Sequence, residues 1–234
     1  MMLLRVPDVL LTRNLANSGP LLVLIPGWAG LGAHLLTCCP YVGPTVSLSY
    51  TDVRTLAKLT LFLKDYDQYD IVIVAFSYGG FSSLSLLMQF KERILHYYLV
   101  GVCSHYATRK LNFIRCKIQD NYQQYLKRFY ESAMTESHFC EFLKYGFNEV
   151  ISFFSEAHLL KTLDHLGMLF INESLLKPYS ITFIQGQTDA IASFNSVQQL
   201  ADTSKSSLIR VSDAGHFPFY SSLFWKALAL HCIK

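Results

Sequence analysis

Charge is scarce in this chain of 234 residues: 16% are Asp, Glu, Lys or Arg against 51% hydrophobic, and the two signs nearly cancel to a net charge of +3. So small an excess does not make the electrostatic footprint of a nucleic-acid binder, and no RNA- or DNA-binding motif is visible. Long apolar runs are missing too. A membrane-spanning helix needs about 20 consecutive apolar residues, whereas the longest candidates, Leu21–Ile25 and Ile71–Phe76, are cut off by Pro26-Gly27 and by Ser77. They read as core strands, and no membrane span is expected. The apolar opening Met1–Asn14 lacks a basic segment leading into an apolar stretch and a small-residue cleavage site, so a cytoplasmic location is expected rather than secretion. The six cysteines include the adjacent Cys38-Cys39 and the scattered Cys103, Cys116, Cys140 and Cys232, with no Cys-x-x-Cys or Cys/His spacing. They read as reduced core residues, and no metal site is implied. Nor is there a dinucleotide loop: Gly30 and Gly32 open a GxGxxG pattern, but Leu35 occupies the third glycine's place. No cofactor is expected.

What is present is an alternation of short β-branched runs with amphipathic stretches, which calls for an α/β fold with a mostly parallel sheet flanked by helices. Strands are predicted at Pro20–Ile25, Thr45–Tyr50, Ile71–Phe76, Ile94–Cys103, Ser180–Gln185 and Ser207–Val211, and helices at Val53–Tyr66, Tyr78–Phe90 and Tyr220–Cys232. Between them, residues 104–178 lose the strand signal and become rich in aromatic and helix-forming residues. The expected division is a core of 1–103 with 179–234 and a helical cap insertion of 104–178.

Three segments carry chemistry. Ala75-Phe76-Ser77-Tyr78-Gly79-Gly80 stands between a buried strand and a helix. This is the setting of a nucleophile elbow, a sharp turn that projects a serine hydroxyl and needs small neighbours where strand and helix approach. Pro26-Gly27-Trp28-Ala29-Gly30 follows the first buried strand, where such a fold supplies one oxyanion N–H while the residue after the nucleophile supplies the other; the donors would be the backbone amides of Trp28 and Tyr78. Asp213-Ala214-Gly215-His216 follows the last strand, so His216 can serve as general base. Asp189 ends the segment Ile184–Asp189 after the preceding strand and completes the order Ser, Asp, His. Asp213 is the rival acid, lying three residues before His216.

With LVLIPGWAG, VAFSYGGF, GQTDAI and AGHFPF in place, the chain resembles the α/β-hydrolase fold superfamily over nearly its whole length, and within it the pimeloyl-acyl carrier protein methyl ester esterases of biotin synthesis, the BioH type. Pro26, Ala75 and Phe217 depart from that pattern, standing for a histidine, a glycine and a small residue. The resemblance implies a serine carboxylesterase with catalytic Ser77, Asp189 and His216, and a monomer is expected. It also implies an acidic acyl carrier protein docked on basic cap residues. Between His105 and Arg128 stand Arg109, Lys110, Arg115, Lys117, Lys127 and Arg128 against Asp120 alone, a local charge of +5. They make either a docking face or an ordinary solvated helix face. Aromatics of the insert, Phe113 and Phe129 among them, either line an acyl channel or pack the cap on the core. A general short-chain carboxylesterase or thioesterase, a menaquinone-pathway-type lyase using the same triad, and a catalytically silent binding protein are the alternatives.

Overall fold

A computed structural model describes residues 4–6 and 9–232 of the chain. Within the N-terminal stretch expected to carry no leader, residues 1–3 and 7–8 lie outside the described residues, as does the side chain of Cys232. Among the described residues eight strands form one sheet: β1 (Leu4–Val6), β2 (Leu10–Arg13), β3 (Leu21–Ile25), β4 (Thr45–Leu48), β5 (Ile71–Phe76), β6 (Ile94–Val100), β7 (Ile181–Gly186) and β8 (Ser207–Val211). Their spatial order is β1-β2-β4-β3-β5-β6-β7-β8. Every pairing from β4 across to β8 is parallel, and β2 runs antiparallel to both its neighbours. The central strands β3 and β5 are buried at every position, because helices covering both faces of a parallel sheet leave no polar side.

The helices are α1 (Gly32–Cys38), α2 (Val53–Asp65), α3 (Tyr78–Ser82), α4 (Leu84–Gln89), α5 (Thr108–Ala133), α6 (Glu136–Tyr145), α7 (Phe147–Phe153), α8 (Glu156–Met168), α9 (Phe194–Ser204) and α10 (Ser222–Cys232). Helix α2 starts at a capping box: Asp52 Oδ1 accepts from the Thr55 amide at 2.7 Å, and the Asp52 amide donates to Thr55 Oγ1 at 2.9 Å. Four helices, α5 to α8, lie between β6 and β7. The longest, α5, kinks at Asn121, which leaves helical geometry at φ −160° and ψ 95°. Its Oδ1 accepts from the Gln124 amide at 2.9 Å and restarts the helix.

Three details differ from the sequence expectation. Strands β1 and β2 were not anticipated; at three and four residues they are too short to show a period. The helix expected over Tyr78–Phe90 is broken at Ser83, whose Oγ lies 2.5 Å from the Gly79 carbonyl and 2.5 Å from Tyr97 Oη; such bonding to the carbonyl one turn back bends a helix. Among the cysteines read as core residues, Cys39 and Cys103 are buried, while Cys116 and Cys140 are exposed, because both fall on outward positions of α5 and α6. No described helix is long and apolar enough to cross a membrane.

Candidate active site

The candidate side chains all stand at the carboxyl ends of the sheet's parallel strands, where an open α/β sheet places its ligands. Ser77 follows β5 directly, with φ 49° and ψ −117°. A left-handed φ costs a non-glycine residue on the order of 1–3 kcal/mol. The turn is held by the Ser77 amide donating to the Val100 carbonyl of β6 at 2.8 Å and by the Gly80 amide donating to the Ser77 carbonyl at 2.9 Å. Gly79 allows it: a Cβ there would lie 2.5 Å from the Pro26 carbonyl oxygen and 2.8 Å from that of Ile25.

His216, in the loop after β8, places Nε2 3.0 Å from Ser77 Oγ. Its Nδ1 lies 2.7 Å from Asp189 Oδ2, and the two side chains are each 1% exposed. The Phe76 ring lies against the imidazole with centroids 4.9 Å apart, and Gly101 lies behind it, at φ +61°, where an added Cβ would come within 3.0 Å of Nδ1. Between the sequence's two candidate acids the geometry discriminates: Asp213 accepts from Ser221 Oγ at 2.6 Å, whereas Asp189 reaches the imidazole.

Asp189 is saturated with donors. Besides His216, Oδ2 accepts from Gln185 Nε2 at 2.7 Å, and Oδ1 accepts from the amides of Ile191 at 2.7 Å and Ala192 at 2.9 Å. Burial pushes this carboxyl's pKa up, but the charge and hydrogen bond of His216 and the two amides outweigh it and hold the net value below the ordinary carboxylate range. The Asp189 and His216 loops are pinned together by Thr188, whose amide and Oγ1 each donate to the Ala214 carbonyl at 3.1 Å.

The Gly27–Gly30 turn closes with the Gly30 amide donating to the Gly27 carbonyl at 3.1 Å. Ala29 takes a left-handed φ of 56°, the backbone of a type II turn. The helices between β6 and β7 hold this turn from above. Tyr130 Oη of α5 donates to the Ala29 carbonyl at 2.5 Å, and Trp28 Nε1 donates to the Leu159 carbonyl of α8 at 3.2 Å. Phe129 packs edge-on to Trp28, centroids 5.5 Å apart. Tyr78, the other expected oxyanion residue, is buried, and its Oη lies 2.7 Å from His165 Nδ1.

A cavity of about 130 Å³ opens onto Ser77 and His216, walled largely by apolar residues such as Trp28, Phe129, Leu163 and Phe217. Beside it runs a groove of about 350 Å³, sharing Phe113, Tyr125, Phe129 and Ile191 as a common wall, with Lys117, Arg128 and Asp120 as its charged lining. Phe113 is 60% exposed and borders both spaces. The predicted basic residues do not gather as one group. Lys110 faces the inner cavity, Lys117 and Arg128 face the groove, Arg115 is tied to Asp164, and Arg109 and Lys127 are exposed.

Two neighbours of the site were missed. Tyr106 Oη lies 3.4 Å from Ser77 Oγ, and burial drives its phenol pKa well above 10. Nothing in the sequence marks a lone tyrosine on a loop. Gln185, fully buried, holds Asp189 and also donates to the Ala192 carbonyl at 2.6 Å. A polar residue closing an apolar strand was a signal that could have been read. Among the described residues no group of three His, Cys, Asp or Glu is placed to hold a metal ion.

No family model matches the chain, and no curated protein matches it by sequence. Solved structures do. An esterase from Exiguobacterium antarcticum superposes with a TM-score of 0.77 at 14% identity, covering 99% of this chain and 98% of its own. The enol-lactonase from Burkholderia xenovorans LB400 gives 0.78 at 10% identity over 96% of both chains. A bromoperoxidase from Bacillus anthracis gives 0.77 at 14% identity over 95% of both. At such identities the likeness establishes the fold, which is the α/β-hydrolase fold.

Proposed function

We propose that this α/β-hydrolase-fold chain is a serine hydrolase that cleaves a carboxylic ester through an acyl-enzyme. The observation that carries the reading is the unbroken line Ser77–His216–Asp189, at 3.0 and 2.7 Å, at the floor of a mostly apolar cavity. Solved esterases among the similar structures support it. Ser77 Oγ attacks the ester carbonyl and gives its proton to His216 Nε2. Asp189 keeps the imidazole in the tautomer with Nδ1–H and stabilises the imidazolium. The backbone amides of Trp28 and Tyr78 receive the oxyanion, each such donor contributing roughly 2.7–4 kcal/mol. His216 returns the proton to the departing alkoxide. Water, deprotonated by His216, then attacks the acyl-enzyme and frees Ser77 and the acid.

The helices α5 to α8 act as the cap of this site, and the inner cavity's size suits a short acyl group: a cavity of about 150 Å³ takes up benzene. A second reading is hydrolysis of a carrier-linked ester such as pimeloyl-acyl carrier protein methyl ester, supported by the adjoining groove, where Lys117 and Arg128 outweigh Asp120. A hydrolysis assay separates them. Turnover of p-nitrophenyl butyrate, abolished by Ser77→Ala, supports the hydrolase. Strong preference for the carrier-linked ester supports the second reading, and no turnover of either ester overturns both.

A further inference from the structure

The inner cavity has one feature that simple ester hydrolysis does not use. Among its described lining residues Lys110 is the only lysine or arginine, and no aspartate or glutamate lines it. Lys110 Nζ donates to the Ile191 carbonyl at 2.9 Å and lies 5.9 Å from the centre of the Tyr106 ring. Among the described residues it takes part in no ion pair. Both contacts lead to the reaction centre: the Ile191 amide donates to Asp189 Oδ1 at 2.7 Å, and Tyr106 Oη stands 3.4 Å from Ser77 Oγ. A half-buried ammonium beside an apolar wall loses hydration, and a single carbonyl does not replace it.

We infer that Lys110 binds an anionic group of the substrate, so that the preferred ester carries a carboxylate or phosphate on a short arm. This rests on the hydrolase reading for the ester bond, and not for the binding of the anion. The cavity's volume of about 130 Å³ limits the arm to a few carbon atoms, and the anion supplies at Lys110 a counter-charge that no described residue gives it within ion-pair distance. The cations Lys117 and Arg128 line the adjoining groove and not this cavity.

The test uses matched pairs: monomethyl glutarate against methyl hexanoate for an anion on the acyl side, and 3-acetoxypropanoate against isopentyl acetate for one on the alcohol side. Binding is read on Ser77→Ala by quenching of tryptophan fluorescence, since Trp28 lines the cavity, and turnover is read on the wild type. The anionic member of at least one pair is expected to bind about tenfold or more tightly, the worth of a hydrogen bond to a charged group. Lys110→Gln, which keeps a donor for the Ile191 carbonyl but no charge, should collapse the anionic-to-neutral ratio, and Lys110→Arg should retain most of it. Equal binding within both pairs, or a ratio unmoved by Lys110→Gln, overturns the inference. Anion-selective binding without turnover upholds it and removes the hydrolase reading instead.

Discussion

Asp189 and His216 are joined by a 2.7 Å hydrogen bond between two side chains that are each 1% exposed, and the Asp189 carboxylate has three further donors. A carboxylate so held cannot rotate away, and it fixes which imidazole nitrogen faces Ser77. Asp189→Asn keeps the shape but offers an amide to Nδ1 and favours the wrong tautomer. It is expected to lower kcat by about three to four orders of magnitude with KM little changed, measured on a short p-nitrophenyl ester.

The same carboxylate couples folding to pH. Its folded pKa is depressed, so its stabilisation is complete above the unfolded carboxylate value of about 3.9 and is lost as pH falls through the lower folded value. Thermal unfolding followed from pH 6 to pH 3 should show a fall in Tm at the acid end that is shallower in Asp189→Asn. Parallel curves for the two proteins would contradict this.

The elbow stores strain that a substitution can release. Ser77→Ala keeps φ near 49° with a Cβ still in place, while Ser77→Gly removes the steric cost. Neither variant should hydrolyse esters, and Ser77→Gly should be the more stable by up to about 1 kcal/mol, the strain relief being partly offset by chain entropy. Gly79→Ala acts in the opposite sense: with a Cβ 2.5 Å from the Pro26 carbonyl, it is expected to cost about 1–3 kcal/mol and to lower kcat by shifting the Gly27–Gly30 turn. Chemical denaturation checks both.

Tyr130→Phe removes the hydroxyl that holds the Ala29 carbonyl and leaves the aromatic packing. A buried acceptor left unpaired costs about 1–3 kcal/mol. Because that carbonyl belongs to the expected oxyanion turn, kcat should fall more than KM changes. An effect on stability with kcat untouched would mean that the turn does not need this strut.

The parts of the site that the sequence made legible are those where a local pattern carries the geometry. Ser77 stands between an all-apolar strand and a glycine pair, and His216 follows the last strand. What was not legible depends on contacts between distant segments. Tyr106, in the loop between β6 and α5, reaches Ser77 across 29 positions. Charge counting placed Lys110 with five other cations on one face, but the first turn of α5 directs it inward while Arg115, one further turn and a half along, meets Asp164 of α8. At the break, Ser83 Oγ bonds both the Gly79 carbonyl and Tyr97 Oη of β6, the latter a partner that helical periodicity in Tyr78–Phe90 does not reveal.

The most direct test of Ser77 as nucleophile is labelling by a fluorophosphonate, with the adduct located by peptide mass spectrometry. The expected result is a single adduct on Ser77, absent from Ser77→Ala and formed far more slowly in Asp189→Asn. No adduct on the folded wild-type protein, or an adduct that persists in Ser77→Ala, would contradict it.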